Sequence, residues 1–140
     1  MDLTDDDRRA LIELSHRYAA LVDDREFDSL GALFTEDAVL VSGAGLREGR
    51  TAILTAMHKL ARYDRTFHLV GQVHCWVEPD GPHGETYCSA HHFTAGDDGT
   101  VIDHVLYIRY HDRFVRDPSD DRLGWRFARR DLDIVATLES

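Results

Sequence analysis

The residues with chemistry to offer near neutral pH are nine histidines and the carboxylates that stand among them. The most economical use of the two types is a histidine beside a carboxylate. The carboxylate orients the imidazole and raises its basicity, and the pair then takes a proton from carbon or oxygen. Asp23 is one candidate, five residues after Tyr18 at the end of an apolar helical stripe. His68 is another, on a segment with the composition of a strand. Each has a plainer reading: Asp23 as a solvated helix-end carboxylate, which is how its neighbour Asp24 reads, and His68 as an ordinary strand-face histidine. Metal binding is the competing use of histidine, and it wants three or four convergent ligands. The sequence has no His-x-His and no His-Glu-x-x-His, and the adjacent His91 and His92 point to opposite faces of a strand. No metal and no cofactor are expected. The two cysteines, Cys75 and Cys88, lack Cys-x-x-Cys spacing and read as free thiols of a reducing compartment.

The elements that must position these residues change character halfway along the chain. Thr4 followed by three aspartates predicts a helix N-cap with an acidic first turn. Leu11, Leu14, Tyr18, Ala19, Leu21 and Val22 then keep helical spacing until the charged run at 23–26. A short helix is predicted over 27–34, a short strand over 38–41 with a return at 46–48, and a third helix over 51–62. After that the period becomes two. Strands are predicted over 66–78, 85–95, 101–116 and 124–137, with turns at 79–82, 96–99 and 117–120. Helices first and a meander afterwards is an α+β pattern, the helices covering one face of a curved antiparallel sheet.

A sheet curled round helices makes a conical pocket, and polar residues interrupting its inner face are the ones to question. If Glu78 opposes Glu85, then His68, Gln72, His74 and Trp76 share a face with Tyr87, Ser89, His91 and Phe93. That aromatic, histidine-rich face reads as the pocket wall. The other face, with Leu69, Val73, Cys75 and Val77 against Thr86, Cys88, Ala90 and His92, reads as the outside, covered by a second subunit in a dimer or trimer. In this register Cys75 stands opposite Cys88, and a one-residue slip would reverse every assignment.

Composition bounds the function. At 140 residues and 43% apolar the chain is one domain, 1–140, with a real core. A chain of this size buries roughly 68–70% of its unfolded surface and needs no disulfide or metal to fold. Sixteen basic against 26 acidic side chains give a net charge of −10, which disfavours nucleic acid and anionic membrane surfaces but not a small molecule in a pocket. No apolar run approaches the ~18–20 residues of a membrane span. The acidic opening Met-Asp-Leu-Thr-Asp-Asp-Asp-Arg-Arg is unlike a secretory signal, so the expected compartment is the cytoplasm.

The segment from Tyr18 through Asp23 to Leu30, continuing Leu33-Phe34-Thr35-Glu36-Asp37-Ala38, resembles the opening of the SnoaL-like families of the nuclear transport factor 2-like superfamily. Gly49-Arg50, Thr66-Phe67-His68-Leu69-Val70-Gly71 and Gly124-Trp125-Arg126-Phe127-Ala128-Arg129-Arg130 carry the resemblance on, from about residue 8 to 137. It implies a cone: a curved sheet wrapped round three helices, with a deep pocket. Within the superfamily the motifs are most similar to the scytalone dehydratases and hexachlorocyclohexane dehydrochlorinases. Their His–Asp dyad falls on His68 and Asp23, and the dehydrochlorinase arginine falls on Arg130. A second pocket histidine falls near His91 or His92. The two tyrosines that hold a water in scytalone dehydratase have no counterpart, since Val22 and Ser42 stand there. SnoaL-type polyketide cyclases instead use a late-strand aspartate, for which Asp131 and Asp133 are the candidates.

With Tyr18, Gln72, Trp76, Tyr87, His91 and Phe93 as the expected pocket, the resemblance implies a cofactor-free acid/base enzyme of dehydratase, isomerase or cyclase type. Its substrate would be a small apolar molecule, a polyketide or another ring compound. His68 would be the base, Asp23 its orienting partner, and Arg130 or His91 the group that faces developing negative charge. The alternatives are a non-catalytic small subunit of an aromatic-ring dioxygenase and a binding module without turnover.

Overall fold

A computed structural model describes residues 2–119 and 123–140. Its first element is helix α1, Asp5–Asp23. Thr4 Oγ1 accepts from the Asp7 amide at 3.0 Å and Asp7 Oδ2 accepts from the Thr4 amide at 3.0 Å, so two orphan donors of the first turn are satisfied reciprocally. The helix ends in a Schellman motif. The Glu26 amide donates to Leu21 O at 2.9 Å and the Arg25 amide to Val22 O at 3.1 Å. The motif needs a left-handed residue, usually glycine, yet Arg25 occupies it at φ 63°. Its side chain offsets the strain by donating to Leu60 O at 2.8 Å and also to Tyr63 O, tying the end of α1 to the segment that flanks the cavity described below.

A 3₁₀ helix, Phe27–Leu33, leads into β1 (Phe34–Ser42) and β2 (Gly45–Glu48). Helix α2, Arg50–His58, is shorter than the predicted 51–62 and tightens into a 3₁₀ turn, Lys59–Arg62. The long strands follow: β3 (Arg65–Glu78), β4 (Gly81–Ala95), β5 (Val101–Arg116) and β6 (Trp125–Glu139). The predicted turn at 117–120 lies within the described residues except Asp120. The six strands form one curved, open sheet in the order β2-β1-β6-β5-β4-β3.

The sheet is mixed, not wholly antiparallel as expected, because β1 runs parallel to β6. Hairpin reasoning sees only strands adjacent in sequence, and this pair is joined by most of the chain. Register shifts interrupt the β1–β6, β3–β4 and β5–β6 ladders. Each extra residue bends its strand and increases local twist, which curls the sheet round α1. The apolar stripe of α1 fills the hollow. Tyr18 packs edge-on against Phe34, Tyr110 and Phe127, with ring centroids 6.2, 5.9 and 6.2 Å away.

The β3–β4 register differs from the expected one in two steps. The turn has only two residues, Pro79 and Asp80, so Glu78 opposes Gly81, which supplies φ 119°. A bulge between Val70 and Val73 then changes the parity. On the turn side of it Val73 and Cys75 face inward opposite Thr86 and Gly84; beyond it Thr66 and His68 do so opposite His92 and Ala90. The shift at the turn is four residues and keeps the expected grouping, but the group expected outside is the one that faces inward, and only Leu69, which the bulge turns away, is exposed. Cys75 pairs with Gly84 and Cys88 with Val70, so the two thiols are not opposed; both are free.

Candidate active site

Between the end of α1, the 3₁₀ turn after α2 and the concave face of the sheet lies a cavity of about 620 Å³. Its floor is buried and largely apolar, with Tyr18, Leu40, Met57, Ile108 and Tyr110 among its lining residues. His68 lines it as well. Asp23 sits behind His68: His68 Nδ1 and Asp23 Oδ1 are 2.8 Å apart. Two more donors converge on the same carboxylate, the His68 amide on Oδ2 at 2.8 Å and Thr66 Oγ1 on Oδ1 at 2.9 Å. Burial raises the Asp23 pKa, but the hydrogen bonds from the His68 side chain and backbone outweigh it and hold the carboxyl below its usual range. An ionised Asp23 takes the proton on Nδ1 as its hydrogen bond, which leaves Nε2 of a neutral His68 with the lone pair. The His68 side chain is 6% exposed, against 23% for Asp23.

Asp23 is a costly choice for stability alone. It closes α1 at the end where the helix dipole is negative, a poor place for a carboxylate. The three donors from β3 offset that cost. Asp24, one residue on, is exposed, as expected.

His92 resolves the alternative left open with His91. It is buried, lines the cavity and stands T-shaped to His68 with ring centroids 5.9 Å apart. Its Nδ1 meets the His104 carbonyl at 3.0 Å, and burial pushes its pKa below the ordinary value, so it is a neutral imidazole. Tyr18 and Tyr110 are neutral phenols, Tyr18 pushed up to about 12 by burial and Tyr110 raised further by the same cause.

Arg130 does not line the cavity, contrary to the expectation that it faces developing charge. It is 1% exposed, with Nε 2.8 Å from Asp112 Oδ1 and Nη2 3.3 Å from Ser15 Oγ. Its guanidinium lies 4.4 Å from the Tyr18 ring centroid and 3.9 Å from that of Tyr110, beneath the two rings that do line the cavity. Burial pushes the Asp112 carboxyl above its usual range even against this charge.

The remaining expected pocket residues lie elsewhere. Gln72 is exposed in the β3 bulge, and Trp76 lines a separate groove with His83. Tyr87, His91 and Phe93 lie on the outer face: the four-residue shift at the turn keeps the expected grouping of β4 residues, and it is the aliphatic group, not the aromatic one, that faces the helices. Asp131 pairs with Arg129 at 2.8 Å and Asp133 is exposed near His111, so neither late-strand aspartate reaches the cavity. Among the described residues, Glu78, Asp80 and His83 at the β3–β4 turn offer potential metal-ligand atoms within 4.8 Å of one another. None of them lines the cavity. Tyr110 and Tyr63 were missed as pocket residues; the alternation of β5 carried the signal for Tyr110, whereas Tyr63, just after the 3₁₀ turn that follows α2, had none.

A comparison with curated proteins finds no match. Among solved structures, the chain is similar to a scytalone dehydratase-like protein from Novosphingobium aromaticivorans, with a TM-score of 0.78 and 21% identity over 94% of this chain and 86% of that one. It is similar to a type 2 hexachlorocyclohexane dehydrochlorinase, with a TM-score of 0.76 and 18% identity over 94% and 87%. It is also similar to ActVI-ORFA from Streptomyces coelicolor, with a TM-score of 0.72 and 18% identity over 91% and 96%. At these identities the likeness establishes the fold, the nuclear transport factor 2-like cone. No helix among the described residues is long and apolar enough to cross a membrane. The model of the SnoaL-like domain matches residues 4–131, and the chain belongs to that family.

Proposed function

We propose that this protein is a cofactor-independent acid/base enzyme acting on a small apolar ring compound, with His68 as general base and Asp23 as its orienting partner. The observation that carries the reading is the His68–Asp23 pair, set in the wall of an apolar cavity with the carboxylate saturated by donors from β3. His68 Nε2 removes a proton from carbon beside a carbonyl or a leaving group. Asp23 stabilises the imidazolium that forms, and the low-dielectric walls strengthen that stabilisation. His92, neutral and 5.9 Å away ring to ring, keeps its one ring proton on Nδ1 against the His104 carbonyl and so presents a second acceptor nitrogen, while the departing or enolised oxygen takes its proton back from the His68 imidazolium. Arg130 is a positioning residue here: it holds the Tyr18 and Tyr110 rings from below. Dehydration, elimination, isomerisation and aldol-type cyclisation all share this first proton transfer. A well-tuned base contributes typically ~10²–10⁴-fold.

The relatives named for dehydration and dehydrochlorination support the reading, as each name describes an elimination. A test independent of the natural substrate is the ring-opening elimination of 5-nitrobenzisoxazole. The base takes the ring C–H proton, the nitrile forms, the N–O bond breaks and a phenolate leaves. The protein is expected to outpace equimolar imidazole and His68→Ala to lose the excess, while Asp24→Asn keeps it. A His68→Ala variant with the full rate, or a wild-type rate no faster than imidazole, contradicts the proposal. The same reading includes a homo-oligomer, dimer or trimer, supported by exposed Leu69, Tyr107 and Val135 sharing one outer groove. Light scattering is expected to give a multiple of 16.0 kDa, and a monomer at micromolar concentration would contradict it.

A further inference from the structure

Charge in the cavity is the reverse of charge in the chain. The sequence has 26 acidic and 16 basic side chains, yet among the described residues no aspartate and no glutamate lines the cavity. It contains three cations, Arg47, Lys59 and Arg62. They come from two separate elements, Arg47 from β2 and the other two from the 3₁₀ turn after α2. Lys59 and Arg62 are exposed, as are Gly43 and Ala44 of the adjoining β1–β2 turn, which places this group at the mouth and not on the buried floor.

Among the described residues none of the three forms an ion pair with a carboxylate. Arg62 lies over its neighbour's ring, 4.9 Å from the Tyr63 centroid, and donates to the Tyr63 hydroxyl at 3.0 Å. Arg47 reaches only the Leu46 carbonyl, at 3.4 Å. Five of the six arginines on β5 and β6 behave differently: Arg109, Arg116, Arg126, Arg129 and Arg130 each have a carboxylate partner. In a chain with surplus acid, three cations gathered at one opening without a carboxylate are a local positive field in a negative protein. A cleft with low-dielectric walls focuses such a field on whatever enters. The depth of the cavity has the opposite sign available, since Asp23 is held ionised behind His68.

We infer that the substrate carries a compact anionic group, a carboxylate or a phosphate, which stays at the mouth against Arg47, Lys59 and Arg62 while its apolar ring enters toward Tyr110 and His68. The orientation follows from charge: the anion is attracted at the rim and repelled from Asp23, so the molecule enters ring first. The orientation toward His68 rests on the acid/base reading above, whereas the binding preference stands without it.

Calorimetric titration of the wild-type protein with 2-naphthoate, 2-naphthyl phosphate and the neutral 2-naphthamide tests the inference. At least one anion is expected to bind about tenfold more tightly than the amide at low salt, with the advantage shrinking at ~1 M salt, where the screening length falls to ~3 Å. The larger advantage identifies carboxylate or phosphate as the source. In Arg47→Gln/Lys59→Gln/Arg62→Gln, with folding checked by circular dichroism, the advantage is expected to vanish while amide binding survives. The inference is overturned if the amide binds as tightly as both anions, if the triple variant keeps the preference, or if none of the three ligands binds. A protein inert toward 5-nitrobenzisoxazole that still prefers the anions would sink the proposed base and leave this inference standing. An active base without anion preference would do the reverse.

Discussion

The two faces of the sheet each hold a histidine–aspartate pair, and by distance the pairs are the same. His68 Nδ1 lies 2.8 Å from Asp23 Oδ1 on the concave side, and His91 Nδ1 lies 2.8 Å from Asp103 Oδ2 on the convex side. What surrounds them differs. Asp23 accepts from a ring nitrogen, a backbone amide and a threonine hydroxyl, whereas Asp103 Oδ1 is buried with no partner among the described residues. The His68 side chain is 6% exposed and lines a cavity; that of His91 is 26% exposed, stacks on Phe93 and spends its second nitrogen on Ser89 Oγ at 3.3 Å. Histidine–carboxylate contacts recur across this molecule, at His58, His83, His104 and His111 as well. A pair by itself therefore says little about catalysis. A saturated carboxylate, a free ring nitrogen and an enclosed apolar space together say much more.

The largest expected difference between the faces is in rate. In the 5-nitrobenzisoxazole assay His68→Ala is expected to lose about 10²–10⁴-fold of the base-dependent acceleration. His91→Ala is expected to stay within about twofold of wild type, as a residue outside the cavity should. Equal losses would erase the distinction between the pairs.

Stability provides the next comparison, between neighbours on β6. Arg130 and Asp112 form an ion pair whose side chains are 1% and 0% exposed, while Arg129 and Asp131 pair at 46% and 36%. Removing one partner of a buried pair strands the other charge, so Arg130→Met is expected to cost about 3–5 kcal/mol. Arg129→Met is expected to cost about 0–1 kcal/mol. Urea unfolding of both variants checks the contrast, and similar midpoints would contradict it.

Titration gives the smallest effect. Asp23 has a folded pKa below its unfolded value, so the unfolded chain binds its proton first, and stability falls as pH drops below the ordinary ~3.9 toward the folded value. His92, also lowered, contributes a loss of the same sign that begins below its ordinary ~6.5. Unfolding free energies measured across this range are expected to flatten below about pH 4 in Asp23→Asn and between about pH 6.5 and the folded His92 value in His92→Leu. Unchanged slopes in these variants would show that neither group is held as described.

The division between faces also explains what the sequence could and could not reveal. The α1 stripe, its Thr4 cap and the position of Asp23 at its end were legible, because they rest on spacing within one element. The pairing of Asp23 with His68 was legible only through family resemblance, since nothing local links residues 45 apart. Sequence reasoning failed on which side of the β3–β4 hairpin faces the helices. The aromatic side of β4, with Tyr87, His91 and Phe93, reads as a pocket wall but is the convex face, and the bulge at 70–73, which Gly71 alone signals, brings His68 to the inner face beside His92. The cationic mouth was hidden for a different reason: β2 and the 3₁₀ turn after α2 contribute it separately, and only the fold brings them to one opening.

The central claim is that His68 and Asp23 act as one unit, and a double-mutant cycle tests it most directly. Elimination of 5-nitrobenzisoxazole would be measured for wild type, His68→Ala, Asp23→Asn and the double variant. Groups that work as a unit lose their contributions non-additively. The double variant is therefore expected to be little slower than His68→Ala alone. Losses that multiply, with Asp23→Asn slowing the protein as much in the absence of His68 as in its presence, would show that Asp23 does not act through the imidazole and would contradict the account.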